Sequence, residues 1–148
     1  MSGIVIRPAA SKDEARWRAL WAGYIKFYRA SVPEDVTAHT WRLILDPRSN
    51  IEALVAEKDG EVIGICNYLF HDSTWSKQPI CYLQDLFVDP DARGGGAAKE
   101  LILACEQKAK EKGAFRLYWQ TQEYNGAARS LYDTIVPRSS FIVYRKGL

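Results

Sequence analysis

The sequence has few of the residues that bind metals or form disulfides. Its 148 residues include only two histidines, His39 and His71, and three cysteines, Cys66, Cys81 and Cys105. The number of cysteines is odd, and no Cys-x-x-Cys or His-x-x-x-His spacing occurs. We therefore expect no metal site and no disulfide framework. We expect reduced, mostly buried thiols, as in cytoplasmic proteins.

The chain also lacks long apolar runs and a strong excess of one charge. No apolar stretch approaches the length of a membrane-spanning helix, and residues 1–10 lack the apolar core of a secretory signal peptide. Twenty basic and 18 acidic residues leave a net charge of +2, which is too small to indicate nucleic-acid binding by itself. These observations predict a cytoplasmic protein without membrane or nucleic-acid partners.

Apolar and aromatic residues are plentiful. They make up 47% and 12% of the chain, which is typical of a globular protein with a real core. At this length, without a linker, a repeat or a low-complexity segment, we expect one domain over residues 1–148.

Apolar periodicity predicts an α/β protein. Ser11 or Asp13 is expected to cap a first helix, whose aromatic face runs from Trp17 to Tyr28. Residues 71–79 read as a loop. The predicted strands are 4–7, 52–57, 61–70, 80–88, 115–121 and 141–145, and the other predicted helices are 34–45, the one from the glycines to Gly113, and 125–135. The order is therefore β-α-α-β-β-β-α-β-α-β, in a mixed sheet with helices packed on it.

The strongest local signal is a glycine-rich turn between a strand and a helix. The strand ends at Val88, and three consecutive glycines, Gly94, Gly95 and Gly96, follow Arg93 directly before a helical pattern. A strand, a glycine turn and a helix start together present bare backbone N–H groups to an anion. The alternative interpretation is an ordinary flexible turn.

Two separated segments resemble one family. Residues 93–98, RGGGAA, fit the Arg/Gln-x-x-Gly-x-Gly/Ala motif, and residues 125–132, NGAARSLY, resemble an N-x-x-A-x-x-L-Y signature. Both motifs are similar to those of the GNAT N-acetyltransferase superfamily, and the order of elements matches over nearly the whole chain. The chain looks most like the histone/polyamine acetyltransferase branch typified by yeast enzymes. The resemblance implies a mixed, mostly antiparallel central sheet flanked by helices.

The resemblance also implies acetyl-CoA as the acetyl donor. It implies that backbone groups at the strand end pair with the pantetheine arm, and that one N–H there polarises the thioester carbonyl. The backbone of the glycine turn would cradle the diphosphate. Asn125 would hold the pantetheine, although an asparagine at this position also suits a helix N-cap. The implied cofactor-binding residues are Leu86, Phe87, Val88, Arg93, Gly94, Gly95, Gly96, Ala97, Ala98, Asn125 and Tyr132.

Tyr132 is the candidate general acid. Attack by an amine on a thioester expels a thiolate, and a phenol can donate a proton to that sulfur in the transition state. Asn125 and Tyr132 are seven residues apart, which places both on one side of a helix. The alternative interpretation of Tyr132 is a core tyrosine on an apolar helix face.

The general base is less defined. In the polyamine branch the strand often carries a glutamate where this chain has Gln84, and glutamine cannot accept a proton at neutral pH. Asp85 is our first candidate for the second catalytic residue, with Glu123, ordered water or an already neutral substrate as alternatives. After Tyr132, Ile135-Val136-Pro137 replaces the usual glycine and aromatic, so one wall of the acceptor site is expected to differ.

The resemblance also implies that the first two helices frame the acceptor, together with the strand that diverges from the CoA-binding strand and carries Trp119, Gln120 and Thr121. Tyr28, Glu34, Gln84 and Trp119 are the candidate substrate-binding residues. Tyr24, Asp35 and Trp41 are further candidates, although aromatic residues at helical spacing are more often core.

The expected function is acetyl-CoA-dependent transfer of an acetyl group to a primary amine by direct attack. A small amine, polyamine or amino acid is favoured as acceptor. A protein lysine or N-terminus is one alternative, a non-catalytic acyl-CoA-binding sensor or scaffold is another, and a domain binding a different nucleotide is a weaker third. We also expect a homodimer, because the apolar segment 141–145 reads as a strand that needs covering.

Overall fold

Five strands form one sheet in the computed structural model, which describes residues 3–148. The strands lie side by side in chain order, and every neighbouring pair is antiparallel except the last pair, which is parallel. The strands are β1 (Ile4–Pro8), β2 (Ile51–Lys58), β3 (Glu61–Ser73), β4 (Ser76–Val88) and β5 (Arg116–Trp119). The expectation of a mixed, mostly antiparallel sheet is confirmed.

Helices cover both faces of the sheet, as expected. Two short 3-10 turns, Ser11–Asp13 and Pro90–Ala92, precede the first and third helices. One core cluster joins the first two helices to the sheet, and a larger cluster joins the last two helices to its opposite face. The helices are α1 (Glu14–Phe27), α2 (Glu34–Leu45), α3 (Ala97–Glu111) and α4 (Gly126–Asp133).

A row of aromatic rings runs along α1. Trp17 stacks on Trp21 with ring centroids 5.4 Å apart, Trp21 stacks on Tyr24 at 5.7 Å, and Tyr24 meets Tyr28 edge-on at 5.0 Å. The row follows from the three- and four-residue spacing of these side chains. The row extends from the buried Trp17 to Tyr28. The end of the row, at Tyr24 and Tyr28, forms one wall of the site described below.

The predicted loop over residues 71–79 is wrong. Strands β3 and β4 extend through it as a long hairpin, with His71 opposite Ile80 and Ser73 opposite Ser76. The segment is polar because it is exposed, and a hairpin of exposed residues lacks the apolar alternation that marks a half-buried strand. The strands are paired through their backbones, which the sequence pattern does not reveal.

The predicted final strand over residues 141–145 is also wrong. No strand is assigned after β5 in the part of the chain that the structure describes, and the four large side chains from Phe141 to Tyr144 are exposed, Phe141 and Tyr144 at 90%. A strand needs a hydrogen-bonded neighbour, and no described strand pairs with this segment. The strand predicted over 115–121 forms only over Arg116–Trp119.

The start of α1 is held by an ion-pair cluster instead of the predicted cap. Asp13 makes no side-chain cap to α1. Its carboxylate accepts hydrogen bonds from the Arg7 guanidinium at 2.8 and 2.9 Å and from the Ala10 N–H at 2.8 Å. Arg7 also donates to Glu57 at 2.9 Å. The cluster ties β1 and β2 to the beginning of α1. Within residues 3–148, no helix is long and apolar enough to cross a membrane.

Candidate active site

A cleft opens where β4 and β5 separate. Their parallel pairing ends at Leu83 and Trp119. β4 continues from Gln84 to Val88 with β3 as its only partner among the described strands. Apart from the Val88 carbonyl, which accepts a hydrogen bond from Arg93, the backbone groups of this part of β4 that point away from β3 have no strand partner among the described residues. An extended ligand can pair with them as an added strand.

A β-bulge at Gln84 decides which side chains face the cleft. Asn67 of β3 lies opposite Asp85, and the next residue, Tyr68, lies opposite Leu83, so Gln84 has no partner on β3. One extra residue reverses the alternation of side chains along a strand. Gln84 is exposed and lines the cleft, whereas Asp85 is partly buried and faces α1.

A narrow cavity of about 20 Å³ lies at the start of the cleft. It is bounded by α1, by β4 on both sides of the bulge, by the end of β5 and by α4. Three predicted substrate-binding residues and the predicted general acid meet there. The lining residues are Tyr24, Tyr28, Leu83, Gln84, Leu86, Trp119, Gln120 and Tyr132.

Tyr132 occupies the α4 side of the cavity. Its ring meets Trp119 edge-on with centroids 5.6 Å apart, and no other described residue makes a hydrogen bond to its hydroxyl. Burial raises the pKa of Tyr132 to about 12. The phenol therefore keeps its proton through the physiological pH range and can donate it into the cavity.

Asn125 joins α4 to α1 across the end of the cleft. Its Oδ1 accepts from the Ala128 N–H at 3.5 Å, so it caps α4, and its Nδ2 donates to Thr121 at 3.4 Å. Tyr28 is a hydrogen-bonding neighbour of the Asn125 and Thr121 side chains. The N-cap interpretation is therefore confirmed by geometry, and the same side chain lies beside the candidate acceptor residue Tyr28.

Asp85 has polar neighbours but no cationic partner among the described residues. Asn67 donates to its Oδ2 at 3.1 Å, and Tyr24 is its other hydrogen-bonding neighbour. Burial raises the pKa of Asp85 above its ordinary value, and the two hydrogen bonds oppose that shift. A carboxylate with a raised pKa accepts a proton more readily.

The glycine turn after β4 contains two residues in the left-handed backbone conformation. Gly94 and Gly96 have φ angles of +90° and +89°, which side-chain-bearing residues rarely adopt. A Cβ at either position would meet no atom within 4 Å, so the space beside the turn is open. Because α3 begins at Ala97, the turn and the helix N-terminus fit a bound diphosphate.

Arg93 turns back onto the end of β4. Its Nε donates to the Val88 carbonyl at 3.2 Å, and its guanidinium lies 5.4 Å from the centroid of the Phe87 ring. It also borders a wider cavity of about 530 Å³ between α1 and the strand end, where Arg16 and Lys26 add positive charge. Arg93 thus fixes the strand end and contributes charge beside the turn. The side chains of Phe87 and Val88 are buried, as expected for core residues.

Several predicted residues lie away from the cavity. Glu34 is exposed at the start of α2 and pairs with Arg18 of α1, and Asp35 beside it is also exposed. Trp41 is buried in the core, and Glu123 is exposed in the segment before α4. The structure brings Tyr28, Gln84 and Trp119 together, but it does not bring these four residues to the same place. Among residues 3–148, no cluster of three or more His, Cys, Asp or Glu could hold a metal ion.

The sequence did not predict the hydrogen-bonded connection from Trp17 through Asn67 to Asp85. Trp17 Nε1 donates to Asn67 Oδ1 at 3.1 Å, and Asn67 in turn donates to Asp85. The available signal was Asn67 itself, a polar residue inside the apolar run from Val62 to Phe70. A buried amide in such a run needs partners, which marks it as a candidate for a polar network.

Comparison with known proteins identifies the family. The sequence profile of the Acetyltransferase (GNAT) family matches residues 17–134. The D-amino-acid N-acetyltransferase of Saccharomyces cerevisiae is 30% identical over 146 residues, which cover 97% of this chain and 91% of that protein. The thialysine N-epsilon-acetyltransferase of Caenorhabditis elegans is 31% identical over 85 residues, which cover 57% of this chain and 52% of that protein.

A solved structure shares the fold. The structure of AAC(6')-Iy with the bisubstrate analogue CoA-S-monomethyl-acetylneamine superimposes with a TM-score of 0.82 at 24% identity, covering 98% of this chain and 99% of that one. The family resemblance drawn from the glycine turn and the segment ending at Tyr132 is therefore confirmed. The chain belongs to the GNAT family of N-acetyltransferases, and it is an acyltransferase.

Proposed function

We propose that the protein transfers the acetyl group of acetyl-CoA to a primary amine of a small molecule, by direct attack of the amine on the thioester. The observation that carries this proposal is the edge of β4 left without a strand partner after Leu83, which opens into the cavity lined by Tyr132. A free strand edge suits the pantetheine arm, and Tyr132 in the cavity beside it is our candidate for the acid that protonates the leaving sulfur.

The donor side rests on backbone groups. Leu86, Phe87 and Val88 have buried or partly buried side chains. The groups that they can offer to a ligand are therefore backbone groups of the strand edge. The turn from Arg93 to Ala98, with glycine φ angles near +90°, supplies N–H groups for the diphosphate. Asn125 caps the start of α4, and in this proposal its side-chain amide also contacts the pantetheine.

The proton chemistry uses two side chains. Tyr132 is the general acid that protonates the departing thiolate, and its pKa of about 12 keeps it in the donating form. The second proton that the nitrogen loses as the amide forms restores the phenol. Asp85 is the base that receives the proton of the amine, because Gln84, which lies nearer the cavity opening, has no site that titrates at neutral pH.

Direct attack is favoured because the cysteines are poor nucleophiles. Cys66, Cys81 and Cys105 are free and fully buried. Hydrogen bonding among these thiols, together with burial, raises the pKa of Cys81 and of Cys105. A thiol must be ionised and accessible to carry an acyl group, so a covalent acyl-enzyme on cysteine is disfavoured. Free buried thiols also support a cytoplasmic location.

A small amine is favoured as acceptor by the narrow aromatic walls of the cavity. Tyr28, Trp119 and Gln84 line it and offer stacking faces and polar groups for a cationic amine. Relatives named for action on D-amino acids and on thialysine agree with a small amine. Glu34 stays a predicted substrate residue, one that contacts the acceptor only if the acceptor extends over the α1–α2 surface.

The protein acts as a homodimer in this proposal. The exposed apolar side chains of Phe141, Ile142, Val143 and Tyr144 form a surface that a second copy would cover. Sedimentation of the full chain against a chain ending at Ser140 tests this: the full chain should sediment as a dimer, and a concentration-independent monomer would contradict it.

The central experiment measures acetylated product by mass spectrometry. The protein is incubated with acetyl-CoA and a panel of polyamines, amino acids, thialysine and lysine-containing peptides. We expect product from one or more small amines. Product from peptides alone would instead support a protein acetyltransferase. Tight CoA binding without product from any amine would support a non-catalytic sensor and contradict the proposal.

A further inference from the structure

A line of four side chains runs from the core to the cavity. Trp17 of α1 donates from Nε1 to Asn67 Oδ1 at 3.1 Å, and Asn67 of β3 donates from Nδ2 to Asp85 Oδ2 at 3.1 Å. Tyr24 of α1 is the remaining hydrogen-bonding neighbour of Asp85 and lines the cavity. Asp85 itself is not among the residues that line it.

The fold places these residues by three separate features. Trp17 and Tyr24 are seven residues apart, which is two turns of α1 and therefore one helix face. Asn67 and Asp85 are direct partners in the β3–β4 pairing. The bulge at Gln84 turns Asp85 toward α1. Tyr24 is therefore the only member of the line that faces both Asp85 and the cavity.

The direction of the hydrogen bonds is fixed by their chemistry. An indole N–H can only donate, so the Asn67 side chain must direct its carbonyl oxygen at Trp17. Its amide nitrogen then points at Asp85 and donates. Trp17 and Asn67 are almost fully buried, at 0% and 3% exposure. The Asp85 carboxylate is thus held as an acceptor, with lone pairs left for the Tyr24 hydroxyl.

We infer that Tyr24 carries the proton of the incoming amine to Asp85, and that Asn67 and Trp17 are positioning residues that orient the Asp85 carboxylate. One N–H bond of the protonated amine breaks as an O–H bond forms on Tyr24. The original O–H bond of Tyr24 breaks as an O–H bond forms on Asp85. The amine becomes neutral and nucleophilic, Asp85 becomes a neutral acid, and the proton returns to water by the same path after the product leaves.

The surroundings of Asp85 agree with this role. The ionisable groups that interact electrostatically with it are the phenols of Tyr24 on α1, of Tyr28 directly after α1 and of Tyr82 on β4. No cation among the described residues pairs with the carboxylate. Burial raises its pKa, which makes it a better proton acceptor than a solvated aspartate. The inference rests on the proposed function, because it needs an amine acceptor.

The test compares two acceptor amines in the full chain. One is a primary amine that is protonated at the assay pH, and the other is a fluorinated primary amine that is already neutral there. Tyr24→Phe and Asp85→Asn should each lower kcat/KM for the protonated amine by about 10²-fold or more. Each should change kcat/KM for the neutral amine by less than about threefold. The matched control is Tyr118→Phe. It removes a hydroxyl on β5 that is hydrogen-bonded to His71 of β3 at 3.1 Å, and kcat/KM should stay unchanged for both amines.

The positioning role has its own readout. Trp17→Phe keeps a buried ring but removes the donor that orients Asn67. We expect the same preference for the neutral amine with a smaller loss, and a shift of the acid limb of the kcat/KM–pH profile. A purely structural defect would lower kcat/KM for both amines equally and leave the profile in place.

The outcomes separate this inference from the proposed function. Failure of the wild-type protein to acetylate either amine, or any member of the amine panel, contradicts the proposed function. If the wild-type protein is active, but Tyr24→Phe and Asp85→Asn lower kcat/KM equally for both amines, the proton path alone is overturned. Both variants keep the size of the side chain, and unchanged CoA binding verifies that each is folded.

Discussion

The replacement of Gly96 by alanine tests backbone strain without a steric clash inside the protein. Gly96 has φ +89° and ψ 5° and stands immediately before α3. An added Cβ meets no atom within 4 Å, so Gly96→Ala introduces no clash. The remaining cost is that of an L-residue in the left-handed conformation, about 1–2 kcal/mol.

That cost must be visible in one of two measurements. If the turn keeps its shape, the free energy of unfolding falls by about 1–2 kcal/mol, or about 2–4 °C in Tm per kcal/mol for a chain of this size. If the turn relaxes, stability is retained, but CoA binding must restore the strained shape. Affinity then falls by about tenfold, because about 1.4 kcal/mol corresponds to a factor of ten.

The test therefore needs two measurements, one of stability and one of CoA affinity. Guanidinium unfolding gives the stability loss, calorimetric titration with CoA gives the affinity loss, and the two should sum to about 1–2 kcal/mol. Gly95→Ala is the matched control, because its φ is outside the left-handed region and its Cβ would make ordinary contact with the Ala92 carbonyl at 3.7 Å. Wild-type stability together with wild-type affinity in Gly96→Ala would refute the reasoning.

Three further predictions follow from the site and the core. Tyr132→Phe should lower kcat by about 10²-fold or more with little change in CoA affinity, since it removes only the acid; near-wild-type turnover would exclude that role. Leu101→Ala should cost about 2–5 kcal/mol in denaturant unfolding, because Leu101 is fully buried between α3 and the sheet, and a loss below about 1 kcal/mol would contradict this packing. Arg7 lowers the pKa of Asp13, so this ion pair stabilises the fold above the ordinary aspartate pKa, near 3.9, and the contribution is lost as pH falls below it. Arg7→Met should destabilise by about 3 kcal/mol at pH 7 and flatten the acid limb of the stability–pH curve, and an unchanged limb would contradict the assignment.

Local signals explain why the elements could be predicted. The helices α1 to α4 follow apolar spacing along a contiguous stretch, and their existence was predicted correctly. The errors lie where stability depends on backbone pairing. The hairpin over 71–79 is exposed and carries no apolar alternation. The segment 141–145 is a run of β-prone apolar residues, but it forms no strand in the described chain.

In the candidate site, too, the features encoded locally could be predicted and those assembled by the tertiary fold could not. The glycine turn could be predicted because a close backbone approach and left-handed φ angles, here at Gly94 and Gly96, favour glycine, and the glycines are visible in the sequence. Tyr132 could be predicted from its spacing to Asn125 within one helix. The surroundings of Asp85 could not, because they are assembled from α1, β3 and β4, which are distant in sequence.

By itself, the sequence determined the family and the donor side of the site, since both are encoded in short contiguous segments whose conformation is largely local. The tertiary structure alone decided which side chains meet at the acceptor side. The bulge at Gln84 has no local sequence signal, yet it reverses the alternation of β4. It turns Gln84 into the cleft and Asp85 toward Tyr24, because one unpaired residue exchanges the two faces of a strand.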